Sequence, residues 1–152
     1  MASAYVPAAL RRQVIERAHG RCEYCQCWVA YATESFDVEH IIPISRGGSS
    51  AFDNLAFACS GCNGHKHNKI RVLDPSDQTE VELYHLRRHR WHEHFGWDIT
   101  YTQVVGLTAC GRATIAALQM NRLGVINLRR VLVLVGNFTT GQIFEKEATV
   151  LK

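Results

Sequence analysis

The chain has 152 residues, of which 47% are hydrophobic and 20% charged, so it is long enough for one domain with an ordinary core. These proportions exclude a disordered tail, a collagen-like fibre and a low-complexity linker. The net charge of +3 permits contact with nucleic acid but is below that of strongly basic binding domains. No apolar run approaches the about 18 residues that span a bilayer, and no secretory signal begins the chain, so we expect a cytoplasmic protein.

The first part of the chain predicts the order helix, cysteine turn, strand, loop, strand and helix. Leu10, Val14 and Ala18 recur every four residues, between Pro7 at a first helical position and Gly20 at a C-cap. Alternating and β-branched residues then indicate two short strands, and a serine N-cap follows the second strand. The predicted elements are a helix at 7–19, strands at Phe36–Ile42 and Asn54–Ala58, and a helix that begins at Ser60.

A cluster of turn-forming residues at Asp74–Thr79 predicts a boundary between two parts of the chain. Residues 1–73 then form a core, and residues 74–152 form a mostly helical extension packed on it. The extension is predicted to contain two helices, 108–121 with Thr108 as N-cap and 125–135. We therefore predict an α+β fold class.

Two pairs of cysteines with C-x2-C spacing predict a metal site. Cys22 and Cys25 form one pair, and Cys59 and Cys62 form the other. In a reducing compartment such thiols are candidates for metal ligands before disulfides, and two turns of this kind close a tetrahedral site for Zn²⁺. Four thiolates leave no open coordination position, so we expect this zinc to be structural.

Candidate ligands for a second, harder cation lie between and after the cysteine pairs. Glu39 and His40 are adjacent on a predicted strand and point to opposite faces, but a bend at Pro43 can bring both into one cleft. Asn63 and His67 are four residues apart and share a face of the next helix. A carboxylate, an amide oxygen and an imidazole suit a divalent ion, and His40 stays available as a base.

The motifs of residues 22–69 resemble an HNH endonuclease of the ββα-metal class that carries a structural zinc. The matching elements, in the order of the family, are the cysteine pairs, DVEHIIPISRGG, DNL and CNGHKHNK. The resemblance implies a ββα-metal core in which one Mg²⁺ or Mn²⁺ ion stabilises the charge on phosphorus and on the leaving oxygen. It extends to small stand-alone bacterial HNH proteins, which implies the bacterial cytoplasm.

The resemblance also implies roles for individual residues of this sequence. His40 matches the general base that activates water, and Asn54 matches the central residue that supports the loop and orients the histidine. Glu39 stands where aspartate is the commoner metal ligand, so it is expected to bind the ion. Asn63 alone, or Asn63 together with His67, completes the ligand set in members of the family.

Four basic residues are candidate contacts to DNA phosphates. Lys66 and Lys69 follow the second cysteine pair, and Arg129 and Arg130 lie in the last predicted helix. The plainer interpretation of all four is that they are ordinary solvated charges.

The C-terminal half also contains a histidine-rich segment. A second metal site is one interpretation of His85, His89, His92 and His94, but no carboxylate or known ligand pattern accompanies them. We interpret the segment as an aromatic region that covers the core. The remaining thiols, those of Cys27 and Cys110, are interpreted as buried apolar side chains.

These features predict a metal-dependent endonuclease that hydrolyses phosphodiester bonds in DNA. One alternative is a non-catalytic zinc module that binds nucleic acid through the same scaffold. Another is a nuclease effector of a defence or toxin system, with the same chemistry under the control of a partner. A binding module has no need to hold His40 and the metal ligands together, which separates it from the enzymes.

Overall fold

The structure, a computed structural model, describes residues 4–136 as five α-helices and three two-stranded antiparallel sheets. The predicted α+β class is confirmed; the end of the predicted extension, after residue 136, lies outside the described residues. Between residues 4 and 136, no helix is long and apolar enough to cross a membrane. The helices are α1 (Ala8–Arg17), α2 (Ser60–Lys66), α3 (Trp91–His94), α4 (Ala109–Leu118) and α5 (Leu123–Leu134), and the strands are β1 (Phe36–His40), β2 (Leu55–Cys59), β3 (Arg71–Leu73), β4 (Glu80–Glu82), β5 (Phe95–Trp97) and β6 (Val104–Gly106).

The first half forms a hairpin between two helices, in the order that the sequence predicts. β1 and β2 pair with Phe36 opposite Cys59 and His40 opposite Leu55. α1 packs on this hairpin, where its buried Val14 joins an apolar cluster with side chains of both strands. α2 follows β2 without a loop and contacts both strands. All of β2 is buried, so the hairpin is the centre of this half.

Two further hairpins, at 71–82 and 95–106, are not predicted from the sequence. β3 pairs with β4, and β5 pairs with β6, through strands of three residues each. Strands this short have too few alternating positions to be recognised by periodicity. The expected boundary at Asp74–Thr79 is the turn of the β3–β4 hairpin, in which the Asp74 amide donates to the Thr79 carbonyl at 2.8 Å. The extension is thus less helical than predicted.

The two halves share one core. α4 packs against α2, and Trp91 and Phe95 belong to the same buried cluster as the four paired cysteines. Trp91 Nε1 donates to the Tyr24 carbonyl at 3.0 Å, which fixes the aromatic segment on the first cysteine turn. The predicted packing of this segment against the core is confirmed.

A buried carboxylate attaches the β3–β4 turn to α4. Asp74 Oδ2 accepts a hydrogen bond from Arg112 Nη2 at 2.6 Å, and Asp74 Oδ1 accepts one from the Ser76 amide at 3.0 Å. These donors, Arg112 first, lower the pKa of Asp74 to about 2. The carboxylate is therefore charged at neutral pH, and the long-range ion pair joins the turn to α4.

The structure corrects the expected role of Arg129 in DNA contact. Its side chain is only 2% exposed, and its guanidinium donates to the carbonyls of Thr102 and Cys25 at 3.1 Å each and to Asn121 Oδ1 at 3.1 Å. Backbone carbonyls and a side-chain amide oxygen thus accept from both terminal nitrogens of the buried guanidinium. Arg129 therefore holds α5 against the first cysteine turn and is closed to a nucleic acid, whereas its neighbour Arg130 is exposed.

Replacing Arg129 with methionine should destabilise the fold by roughly 2–4 kcal/mol, because carbonyl oxygens of Thr102 and Cys25 lose a charged donor. Urea unfolding of both proteins measures the difference. The exposed Arg130→Met is the matched control and should change the free energy of unfolding by less than about 0.5 kcal/mol. Equal effects of the two substitutions would contradict the assigned role of Arg129.

Candidate functional site

The predicted zinc ligands converge. The thiols of Cys22, Cys25, Cys59 and Cys62 are buried, and their sulfur atoms all lie within 4.8 Å of one another. The sulfurs of Cys25 and Cys59 are 3.8 Å apart. Zn–S bonds of about 2.3 Å in a tetrahedron place sulfurs about 3.8 Å apart. The donor set and its spacing therefore fit Zn²⁺, and the predicted cluster is confirmed.

Each cysteine pair is positioned by its local backbone. In the first pair, the Cys22 amide donates to the Cys27 carbonyl and the Gln26 amide to the Cys22 carbonyl, both at 2.9 Å, which closes a tight turn. In the second pair, Cys59 ends β2 and Cys62 lies in the first turn of α2. The zinc site thus joins the first turn to the start of α2.

Arg122, at the N-terminus of α5, reaches the sulfurs from the C-terminal half. Its Nη2 donates to Cys59 Sγ at 3.2 Å, and its Nη1 lies 3.8 Å from Cys62 Sγ. A Cβ on Gly61 would lie 2.3 Å from the Arg122 guanidinium carbon, so only glycine leaves room for this approach. Since four thiolates give a zinc site a net charge of −2, a guanidinium in contact with two of the sulfurs stabilises it.

Replacing Arg122 with glutamine should weaken zinc binding by about 10–100-fold, because the thiolates lose a charged donor. Competition with a colorimetric zinc chelator measures how tightly the four-cysteine site binds zinc. Arg130→Gln removes the same charge from the exposed surface and should leave this affinity unchanged. An unaltered affinity in Arg122→Gln would contradict the proposed contribution of the guanidinium.

His40 ends β1 in a half-buried position beside the following loop. Its Nε2 lies 2.9 Å from Ser50 Oγ. Burial, followed by the charge of the Lys66 ammonium, lowers the pKa of His40. The imidazole is therefore neutral around pH 7 and has a lone pair with which to accept a proton.

Asn54 closes the loop that carries Ser50. Its Oδ1 accepts from the Ile42 amide at 2.9 Å, and its Nδ2 donates to the carbonyls of Ile42 at 2.9 Å and Ser49 at 2.7 Å. At Gly48 a Cβ would lie 1.8 Å from the Ile42 carbonyl oxygen, so the loop can close only with glycine there. Asn54 thereby holds the two ends of the loop together next to His40.

Glu39 is enclosed on the opposite face of β1. One carboxylate oxygen accepts from Tyr24 OH at 2.5 Å and the other from Lys66 Nζ at 2.9 Å. Lys66 is 1% exposed and also donates to the His40 carbonyl at 2.9 Å. Burial raises the pKa of Glu39 despite the opposing effect of Lys66. Because both oxygens are hydrogen-bonded and the ammonium already balances the charge, Glu39 does not fit a metal ligand in this arrangement.

The other predicted residues of the second cation site lie on and after α2. Asn63 is half-buried in the helix, and its carbonyl accepts from the His67 amide at 3.0 Å. His67 is exposed and follows the last helical residue with φ of 50°, so its side chain does not continue the helical face of Asn63. Lys69 is exposed, whereas the burial of Lys66 corrects the expectation that it contacts DNA.

Two interactions of Glu39 are not predicted from the sequence. Tyr24, between Cys22 and Cys25, is fully buried against Glu39. Lys66 forms a buried ion pair with a residue 27 positions away. The one feature of the sequence that indicates these interactions is Glu39 itself, because an acidic residue at an inward strand position needs a buried partner.

Comparison with known proteins agrees with these motifs. The sequence model of the HNH endonuclease family matches residues 22–69, which include the four clustered cysteines, His40 and Asn54. No curated protein matches the chain. The family indicates a nuclease, which acts on nucleic acid and uses a divalent metal.

Proposed function

We propose, on the premise that residues 22–69 form an HNH endonuclease domain, that the chain is a metal-dependent endonuclease that hydrolyses phosphodiester bonds in DNA. The observation that carries the proposal is the half-buried His40, whose Nε2 lies 2.9 Å from Ser50 Oγ in a loop closed by Asn54. Burial lowers the pKa of His40, which favours the neutral imidazole. A neutral imidazole held in one orientation suits a general base.

His40 supplies the base at a defined atom. If Nε2–H donates to Ser50 Oγ, at 2.9 Å, the lone pair lies on Nδ1. Nδ1 then takes the proton from the attacking water, while Ser50 keeps the ring in place. Asn54 contributes by holding the loop of Ser50 and does not itself exchange a proton.

Asn63, alone or together with His67, is the proposed protein ligand of the catalytic Mg²⁺ or Mn²⁺ ion. Such an ion supplies charge stabilisation at the scissile phosphate when it is bound. Glu39 joins this set only if its carboxylate exchanges Lys66 for the ion, since Lys66 Nζ lies 2.9 Å from it. The buried zinc site is separate and structural.

A basic cleft beside the His40 loop is the proposed path of the DNA backbone. The cleft has a volume of about 180 Å³ and is lined by Lys69, Arg71 and Arg88 next to Ile41 and Ile42. Arg71 and Arg88 form exposed ion pairs with carboxylates of β4. Such pairs contribute about 0–1 kcal/mol, so phosphates can replace the carboxylates at little cost. The exposed Arg130 remains a proposed contact outside the cleft.

The test is incubation of the purified chain with supercoiled plasmid and Mg²⁺, Mn²⁺ or EDTA. We expect nicked and linear products with either metal and none with EDTA, because the proposed chemistry depends on a divalent ion. Gel electrophoresis resolves the products. Intact plasmid under every metal condition, with a chain that retains its structural zinc, would contradict the proposal.

The buried Glu39–Lys66 pair favours one alternative, a zinc module that binds nucleic acid without cleaving it, because the pair withholds an expected ligand. The same preparation distinguishes the two. A gel shift of plasmid fragments without cleavage in any metal supports the binding module, whereas cleavage excludes it.

A further inference from the structure

Three metal-ligating side chains converge in the C-terminal half, outside residues 22–69. One ligand atom from each of His89, His94 and Cys110 lies within 4.8 Å of the others. His89 lies in the turn before α3, His94 ends α3 and Cys110 is in the first turn of α4. From this convergence we propose that the chain binds a second transition-metal ion, of the zinc class, through His89, His94 and Cys110.

The hydrogen bonds of His94 suit a metal ligand. Its Nδ1 lies 2.7 Å from Thr108 Oγ1, which also accepts from the Gly111 amide at 3.0 Å. A hydroxyl oxygen has two lone pairs and can accept from both donors. In the tautomer with the proton on Nδ1, His94 donates to Thr108 Oγ1, and Nε2 has the lone pair that a metal requires. A hydrogen bond from the second ring nitrogen is the usual support of a metal-bound histidine.

His89 is the adjustable ligand. Its Nδ1 accepts from the His85 amide at 3.1 Å, so its proton is on Nε2 in the absence of metal. Coordination through Nε2 moves the proton to Nδ1 and gives up this one hydrogen bond. The ring centroids of His89 and His94 are 4.8 Å apart, and each ring has a ligand atom in the same cluster.

Cys110 supplies the third donor and decides the class of metal. Its side chain is half-buried, and the thiol releases its proton when the sulfur binds an ion. Two imidazoles and one thiolate suit Zn²⁺ and Co²⁺ better than Mg²⁺ or Ca²⁺, which prefer oxygen. Three protein ligands leave a fourth position for water, and the ion would tie α3 and the preceding turn to α4.

The test is a titration of the full chain, its four-cysteine site already filled with zinc, with Co²⁺. We expect one Co²⁺ per chain to bind without displacing zinc and to produce d–d and thiolate charge-transfer bands in the absorption spectrum. Cys110→Ser should remove the charge-transfer band, and His94→Ala should abolish uptake at equimolar Co²⁺. Metal analysis after gel filtration reports the stoichiometry.

His92→Ala is the matched control, because His92 is an exposed histidine of the same segment that does not belong to the cluster. It should bind Co²⁺ as the unaltered chain does. Failure of the unaltered chain to bind Co²⁺ beyond its zinc would overturn the proposal. A charge-transfer band that persists in Cys110→Ser, or a loss of uptake in His92→Ala equal to that in His94→Ala, would overturn it as well.

Discussion

Replacing Cys59 with alanine is expected to remove the structural zinc and to lower the melting temperature by about 10 °C or more. Cys59 joins β2 to α2, and its sulfur contacts both Cys25 and Arg122. Zinc binding contributes several kcal/mol to the folding of small metal-binding domains, and in a chain of this size each kcal/mol changes the melting temperature by about 2–4 °C. Metal analysis and thermal unfolding measure the two losses.

Cys27→Ala is the control for the loss of a buried thiol. Cys27 is 6% exposed and lies beside the first cysteine pair, but its sulfur is outside the four-sulfur cluster. The Cys27→Ala variant should keep the zinc of the four-cysteine site after treatment with a weak chelator. Its melting temperature should fall much less than that of Cys59→Ala. A chain that contains no zinc, or a Cys59→Ala variant as stable as the unaltered chain, would contradict the structural role of the metal.

The zinc site was predictable because its signal is local. Each cysteine pair is a short turn, so C-x2-C spacing alone places two sulfurs together, and thiol chemistry then favours one ion over four separate residues. Thr108 is predictable for the same reason: its Oγ1 accepts from the Gly111 amide at 3.0 Å and caps α4. Local hydrogen bonds of this kind follow from residue type and position.

The burial of Lys66 and Arg129 is not predicted from the sequence because their partners are distant along the chain. Lys66 is predicted as a surface charge of α2, yet it is buried against Glu39 across the hairpin. Arg129 is predicted on a helix surface, yet it contacts the carbonyl of Cys25, 104 residues earlier. A backbone carbonyl carries no sequence signal, so a long basic side chain that satisfies one resembles any other surface charge.

Replacing His40 with alanine should reduce plasmid cleavage by about 10²–10⁴-fold, the usual effect of removing a positioned base. Its side chain contacts Ser50 and does not belong to the zinc cluster, so zinc content and DNA binding should be unchanged. His65→Ala, on the neighbouring helix, is the matched control and should cleave at the unaltered rate.

Because the pKa of His40 is lowered, cleavage by the unaltered chain should persist as pH falls below 6.5 and decline only at more acid pH.

Excess metal separates the base from the proposed ligands. Asn63→Ala should cleave poorly because it binds the catalytic ion weakly, so excess Mg²⁺ or Mn²⁺ should restore part of the rate. The same excess should do nothing for His40→Ala, which lacks the proton acceptor. His67→Ala then decides the ligand set. A cleavage defect that excess metal relieves would show that His67 binds the ion, and full activity would show that it does not. Cleavage by His40→Ala at the unaltered rate, in a preparation free of contaminating nuclease, would show that the proposed base is wrong.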